Sequence, residues 1–277
     1  MKRRIFLQRT SVLSLLGVLS ACGGSSDKPV AGQARTTFLI YMVASNLLDG
    51  GGAERDLENM LQASNSSDIN VVLQIGGGAT SGSFAGVDMQ VMTRYRLAPE
   101  VGSSTGWTLE KLPADQQPVP LVMSDPDALQ EFIAWAAREY PAQQYALCLW
   151  DHGGGPILGW GQEMAVTDGD LMSLRDTVQA LEGAGVVFEL IGFDTCLMSS
   201  LEIAEAFAPY SRYLVGSEEL TTGWDWTQVV DYLATHPDTR GDDFGTHIVR
   251  SYKDFSSPDK MDFTAYATTD LGQIEPL

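Results

Sequence analysis

Two stretches decide the fold: Tyr145-Ala146-Leu147-Cys148-Leu149-Trp150-Asp151-His152-Gly153 and Val186-Val187-Phe188-Glu189-Leu190-Ile191-Gly192-Phe193-Asp194-Thr195-Cys196. Each is a nearly unbroken apolar run that stops at polar residues. That is the pattern of a strand buried on both faces, since a half-exposed strand would alternate. Between them lies an amphipathic stretch, 171–181, with Leu174, Val178 and Leu181 on one helical face. Strand, helix and strand in this order predict parallel neighbours, and sheets of this kind place function where loops leave the carboxyl ends of strands. His152 and Cys196 both fall at such ends.

Outward from this unit the alternation continues. Residues 37–43 read as a buried strand, followed by Gly50-Gly51-Gly52 and a helix over 53–63 with Leu57, Met60 and Leu61 on one face. Residues 70–75 are a second strand. The pattern weakens over 76–120 into glycines and short alternating stretches, as expected of a hairpin excursion at a sheet edge. Asp125-Pro126 supplies a cap and a first-turn proline for a helix presenting Leu129, Phe132, Ile133 and Ala136. A helix over 197–207, a strand over 213–216, helices near 226–234 and 242–253 and a strand over 263–268 complete the reading. The expected class is α/β, a mostly parallel sheet with helices on both faces. Residues 269–277 resemble the opening of another helix, so the domain either stops abruptly there or continues beyond the sequence.

Residues 1–21 have a basic start, an apolar middle and small residues before Cys22, the arrangement of an export signal. Leu19-Ser20-Ala21-Cys22 resembles a bacterial lipobox, in which the cysteine is acylated, and Arg3-Arg4-Ile5-Phe6-Leu7 resembles a twin-arginine signal. An ordinary cleaved signal peptide is the alternative. Residues 22–34, small and polar, read as a tether, and a domain occupies 35–277. The expected location is the bacterial cell envelope, with a lipid holding the domain to a membrane.

The chain has 17 basic and 36 acidic residues, a formal charge of −19. Removal of the leader takes four bases and no acid, leaving 13 − 36 = −23. Such a surface repels phosphate backbones, which argues against nucleic acid and favours cationic peptides as partners. With 44% hydrophobic and 19% charged residues, the chain is neither disordered, collagenous, coiled-coil nor multi-span.

A thiol and an imidazole at adjacent strand ends suggest nucleophilic catalysis: the imidazole takes the thiol proton and the sulfur attacks a carbonyl carbon. The Gly153 and Cys196 amides are the nearest candidates for oxyanion donors. On residue types alone this is only suggestive, because a strand-end histidine is often structural. Cys148, inside an apolar run, reads as a packed core thiol, with a Cys148–Cys196 disulfide as the alternative. Gly102-Ser103-Ser104-Thr105-Gly106 satisfies G-x-S-x-G, yet it lacks the strand before and the helix after that a nucleophile elbow needs. Gly50-Gly51-Gly52 lacks the Lys-Ser/Thr of a phosphate loop and reads as a flexible turn. His236 and His247 belong to no ligand cluster.

Residues 146–153 and 189–198 together resemble the clostripain family of cysteine peptidases, of the caspase-like clan, whose signature is an apolar strand ending in His-Gly and a second ending in Cys. Phe38-Leu39-Ile40-Tyr41-Met42, Asn46-Leu47-Leu48-Asp49, Val215-Gly216-Ser217-Glu218-Glu219 and Gly223-Trp224-Asp225-Trp226 extend the resemblance over 36–270. It implies a caspase-like sheet and an endopeptidase with His152 as base and Cys196 as nucleophile. It also implies preference for Arg, and sometimes Lys, before the scissile bond, with Asp194 and Asp225 as the acids that hold it. The alternative to the pocket role is a helix cap for Asp194 and a solvated surface position for Asp225. Relatives are often cut between histidine and cysteine at a basic residue. Here the one base in that interval is Arg175, within a predicted helix, so the chain is expected to be active uncut or cut elsewhere. No metal site is expected from the residues and no cofactor is required, although some relatives use calcium, and that dependence stays open. The rival from another class is a lipid-anchored peptide-binding protein that keeps the scaffold without turnover.

Overall fold

The computed structural model describes residues 33–47, 51–81, 84, 86–118, 122–166, 169–255 and 265–274. The leader, Cys22, the tether through Gly32 and residues 48–50 lie outside them, as do residues 263 and 264 of the last expected strand.

In chain order the elements are β1 (Ala34–Val43), α1 (Gly52–Gln62), β2 (Ile69–Gly76), β3 (Thr93–Pro99), β4 (Trp107–Lys111), α2 (Pro126–Glu139), β5 (Ala142–Trp150), α3 (Gly155–Leu158), β6 (Trp160–Glu163), β7 (Asp170–Met172), α4 (Leu174–Ala184), β8 (Phe188–Asp194), α5 (Leu201–Phe207), β9 (Ser211–Ser217), α6 (Trp226–Thr235), α7 (Gly241–Phe255) and β10 (Tyr266–Asp270). Eight strands form one sheet in the order β10-β9-β8-β5-β1-β2-β3-β4. The five from β9 to β2 run parallel, whereas β10 and the β3–β4 hairpin are antiparallel at the two edges. β6 and β7 pair as a separate hairpin.

Side chains of successive strand residues point to opposite faces, and β1 shows what that does here. Phe38, Ile40 and Met42 pack with Leu57, Met60, Trp226, Val230 and Phe244 of α1, α6 and α7. Leu39, Tyr41 and Val43 pack with Phe132, Leu181 and Phe207 of α2, α4 and α5. Both faces are therefore covered, the reason the central strands carry unbroken apolar runs.

Two helices begin later than periodicity suggests. α4 opens at Leu174, where the Ser173 hydroxyl accepts from the Asp176 amide at 3.1 Å; residues 170–172, which fit the helical period, are the strand β7 instead. The second case bears on function. α5 starts at Leu201, and residues 197–200 form a loop in which Leu197 has a left-handed backbone, φ 63°. A branched residue there costs on the order of 1–2 kcal/mol, which surrounding contacts must offset. The Leu197 amide donates to the Glu219 carbonyl at 3.2 Å, one of those contacts. In the terminal segment, the Asp270 carboxylate caps a single 3-10 turn at Leu271–Gln273.

Candidate active site

Trp150 of β5 and Asp194 of β8 are register partners on adjacent parallel strands. His152 and Cys196 each lie two residues beyond that pair, so the sheet itself delivers them to neighbouring positions on its carboxyl edge. The two loops touch. A β-carbon on Gly153 would lie 2.0 Å from the Cys196 carbonyl oxygen and 2.9 Å from Thr195 Oγ1, so only glycine lets the histidine loop close on the cysteine loop.

His152 is half-buried, and its Nε2 lies 2.7 Å from Asn46 Oδ1, in the loop after β1. A carbonyl oxygen only accepts, so the ring donates from Nε2 and the neutral form presents Nδ1 as a base. Burial holds the imidazole below its ordinary pKa, which favours that neutral form. Asp151 fixes the loop from beneath: its buried carboxyl accepts from the Ser45 hydroxyl and the Gln162 amide. Burial pushes Asp151 up to about 8. Ser45 and Asn46 are adjacent, so one short loop steadies both the histidine ring and the acid under it.

Cys196 is partly exposed, and its Sγ accepts from the Thr221 amide at 3.3 Å. The loop after β9 thus reaches the sulfur. Among the described residues, the Gly153 and Cys196 amides donate to no protein group. Both thiols are free, which removes the disulfide alternative. Cys148 is fully buried in β5, where burial raises its thiol pKa well above the ordinary value.

His152 and Cys196 open onto one cavity of about 500 Å³. Its floor is acidic. Asp194 and Asp56 are buried; Trp226 Nε1 donates to Asp194 Oδ2 at 2.9 Å and Trp150 Nε1 donates to Asp56 Oδ2 at 3.0 Å. Asp194 Oδ1 is buried without a hydrogen-bond partner. Burial, and for Asp194 also the nearby Asp56 charge, raise both carboxyl pKa values. A cap role for Asp194 does not hold, since the helix begins further on. Asp225 does not line the cavity: it is the N-cap of α6, where its carboxylate accepts from the Gln228 amide at 3.2 Å. The second acid of the cavity is Asp56, on α1.

Asn46 stands in a stretch that carries the family resemblance but is given no role there, and Asp56 and Arg55, on α1, escape the sequence reading because they lie far along the chain from either motif. The signal for those two is topological, since a strand placed beside β5 must bring its own loop to the same edge. Arg175 sits exposed in the first turn of α4, and His236 and His247 stack on either face of Tyr232, away from the cavity. Among the described residues no three His, Cys, Asp or Glu side chains are grouped to hold a metal ion, and no helix is long and apolar enough to cross a membrane.

An α/β sheet that brings a thiol and an imidazole to adjacent strand ends above an acidic cavity has the layout that thiol-dependent hydrolysis requires. Residues 40–277 match the model of the clostripain family, peptidase C11, and the chain belongs to that family of cysteine peptidases. No curated protein matches it in sequence. Its fold is similar to that of a secreted C11 cysteine protease from Bacteroides thetaiotaomicron solved with an irreversible peptide inhibitor, with TM-score 0.69 and 19% identity over 87% of this chain and 67% of that one. It is also similar to an inactive zymogen C11 protease from Parabacteroides distasonis, with TM-score 0.64 and 19% identity over 89% of this chain and 64% of that one. The chain spans about two thirds of the length of these structures.

Proposed function

We propose that this chain is an exported, lipid-anchored cysteine endopeptidase that cleaves after basic residues, arginine above lysine. His152 Nδ1 takes the Cys196 proton, and the sulfur attacks the scissile carbonyl. The Gly153 and Cys196 amides receive the oxyanion; the C–N bond breaks and the imidazolium proton leaves on the amine. Water, deprotonated by His152, then hydrolyses the thioester and regenerates the thiol. Asp194, with Asp56, holds the guanidinium of the residue before the scissile bond. The observation that carries this reading is the seating of Gly153 on the Cys196 carbonyl beside a cavity floored by two buried carboxyls, one of them with a free oxygen.

Export rests on the leader and agrees with the secreted relative; lipidation rests on residues 19–22. The experiment that tests the reading is mass spectrometry after exposure to an arginyl acyloxymethyl ketone. Covalent mass on Cys196, blocked by leupeptin and absent with the glutamyl analogue, is the expected result. Labelling elsewhere, or equal labelling by both probes, would refute it.

Asn46 acts through the histidine as a positioning residue. Asn46→Ala is expected to lower kcat about tenfold with KM unchanged, because the ring loses the bond that fixes its tautomer while the acidic cavity stays intact. A change confined to KM would show that Asn46 serves binding.

A further inference from the structure

Arg55, the cation nearest the acidic floor, belongs to the protein itself. It projects from the first turns of α1, half exposed, and lines the cavity with Asp56, Asp194 and Gly223. Its Nη2 and Nε both lie 3.1 Å from Asp56 Oδ1. The other oxygen of Asp56 is held by the Trp150 indole, so Asp56 is fully engaged. Asp194 Oδ2 accepts from the Trp226 indole and the Trp224 amide helps to hold its charge, while its buried Oδ1 makes no direct hydrogen bond.

The three charged groups converge on Gly223. A β-carbon placed there would lie 3.7 Å from Asp194 Oδ1, 3.8 Å from Asp56 Oδ2 and 3.9 Å from Arg55 Nη2. The Arg55 guanidinium is therefore within about 8 Å of the oxygen left open for an incoming cation. Two like charges at that separation in a partly solvated cleft repel.

We propose that Arg55 is a specificity-determining residue: a resident cation that occupies Asp56 and sets how strongly the remaining acid, Asp194, takes a basic side chain. With Arg55 in place the trio carries one net negative charge when both acids are ionised, matched to a single guanidinium or ammonium. One oxygen of one carboxylate is offered, and the incoming cation must approach against Arg55. Removing Arg55 removes the competitor and frees a second carboxylate oxygen. A planar guanidinium can then bridge two acids, whereas a point-like ammonium gains less from the second. Arg55 thus weakens binding of basic side chains and narrows the advantage of arginine over lysine. This inference rests on the basic-residue reading of the same cavity.

The test compares native protein with Arg55→Ala and Arg55→Lys on matched amide substrates ending in arginine, lysine or alanine, with calorimetric titration of benzamidine, an amidinium without a reactive carbonyl. Arg55→Ala is expected to lower KM for the arginyl substrate and Kd for benzamidine by roughly three- to tenfold. The lysyl substrate gains less, the alanyl substrate is unchanged, and Arg55→Lys returns toward native values. Unchanged or higher KM and Kd in Arg55→Ala, with native preference for arginine intact, would overturn the role of Arg55 alone. Native protein that turns over the alanyl substrate as well as the arginyl one would overturn the basic-residue reading and this inference with it. Circular dichroism melts of both variants check that α1 is retained, since a loss of fold would also move the alanyl substrate.

Discussion

Cys196→Ala is expected to lower release of fluorophore from an arginyl amide by at least about a thousandfold, with the fold unchanged. The sulfur makes one hydrogen bond to the protein of ordinary length, from the Thr221 amide, and is partly exposed, so its removal leaves no cavity to collapse. His152→Ala should cost nearly as much, because the thiol then lacks a base to take its proton. The double variant should be scarcely worse than either single one: groups that act in one step are not additive. Additive losses would mean that sulfur and imidazole serve separate steps, and turnover surviving Cys196→Ala would move the chemistry to another residue.

Asp194→Asn separates two properties that one carboxylate joins. Asparagine can still accept from the Trp226 indole, so the fold is kept, while the open negative oxygen is lost. Truncating one side of a buried charge pair typically costs 2–5 kcal/mol, so kcat/KM for arginyl substrates should fall by about 10²- to 10³-fold. An alanyl substrate should be nearly unaffected. Stability should move the other way. Burial and Asp56 raise the folded-state pKa of Asp194, so between its unfolded value and that raised value the native state binds more protons than the unfolded state, and stability falls as pH rises. Removing the carboxyl removes that loss, so the variant should melt higher than native protein above neutrality and converge with it in acid. The groups facing Asp194 are Asp56 and Arg55 from α1, Cys148 from β5 and Tyr266 from β10. Of these only Asp56 titrates in the same direction and range. The arginine preference of native protein should therefore fade as pH drops and both acids become neutral. A preference that is flat across that range, or an Asp194→Asn protein that melts lower at alkaline pH, would show that the carboxyl is structural.

How far the sequence could be read follows from what each feature depends on. The parallel core was legible because burial on both faces forces unbroken apolar runs, and His152 and Cys196 were legible because those runs end at them. The α5 boundary was not: Leu197 fits the helical period, but its amide is drawn to Glu219 and its backbone is left-handed. Asp225 was misplaced for a local reason, since an acid before Trp226-Thr227-Gln228 is also a good helix cap, and capping is the use the fold makes of it. Asp56 reaches the floor only because β1 lies beside β5, so that α1 packs over the same edge as the cysteine loop. No spacing along the chain announces that adjacency.

The burial of Cys148 has a practical corollary. Its sulfur lies in the sheet interior with no solvent exposure and a strongly disfavoured thiolate, so among the described cysteines only the one at the cavity can meet a reagent in the folded state. Alkylation of that segment should stop at one equivalent, and a second equivalent should appear only on denaturation. The stoichiometry of a simple thiol reagent thereby counts folded molecules whose Cys196 is free and, run against time in denaturant, clocks the opening of the sheet.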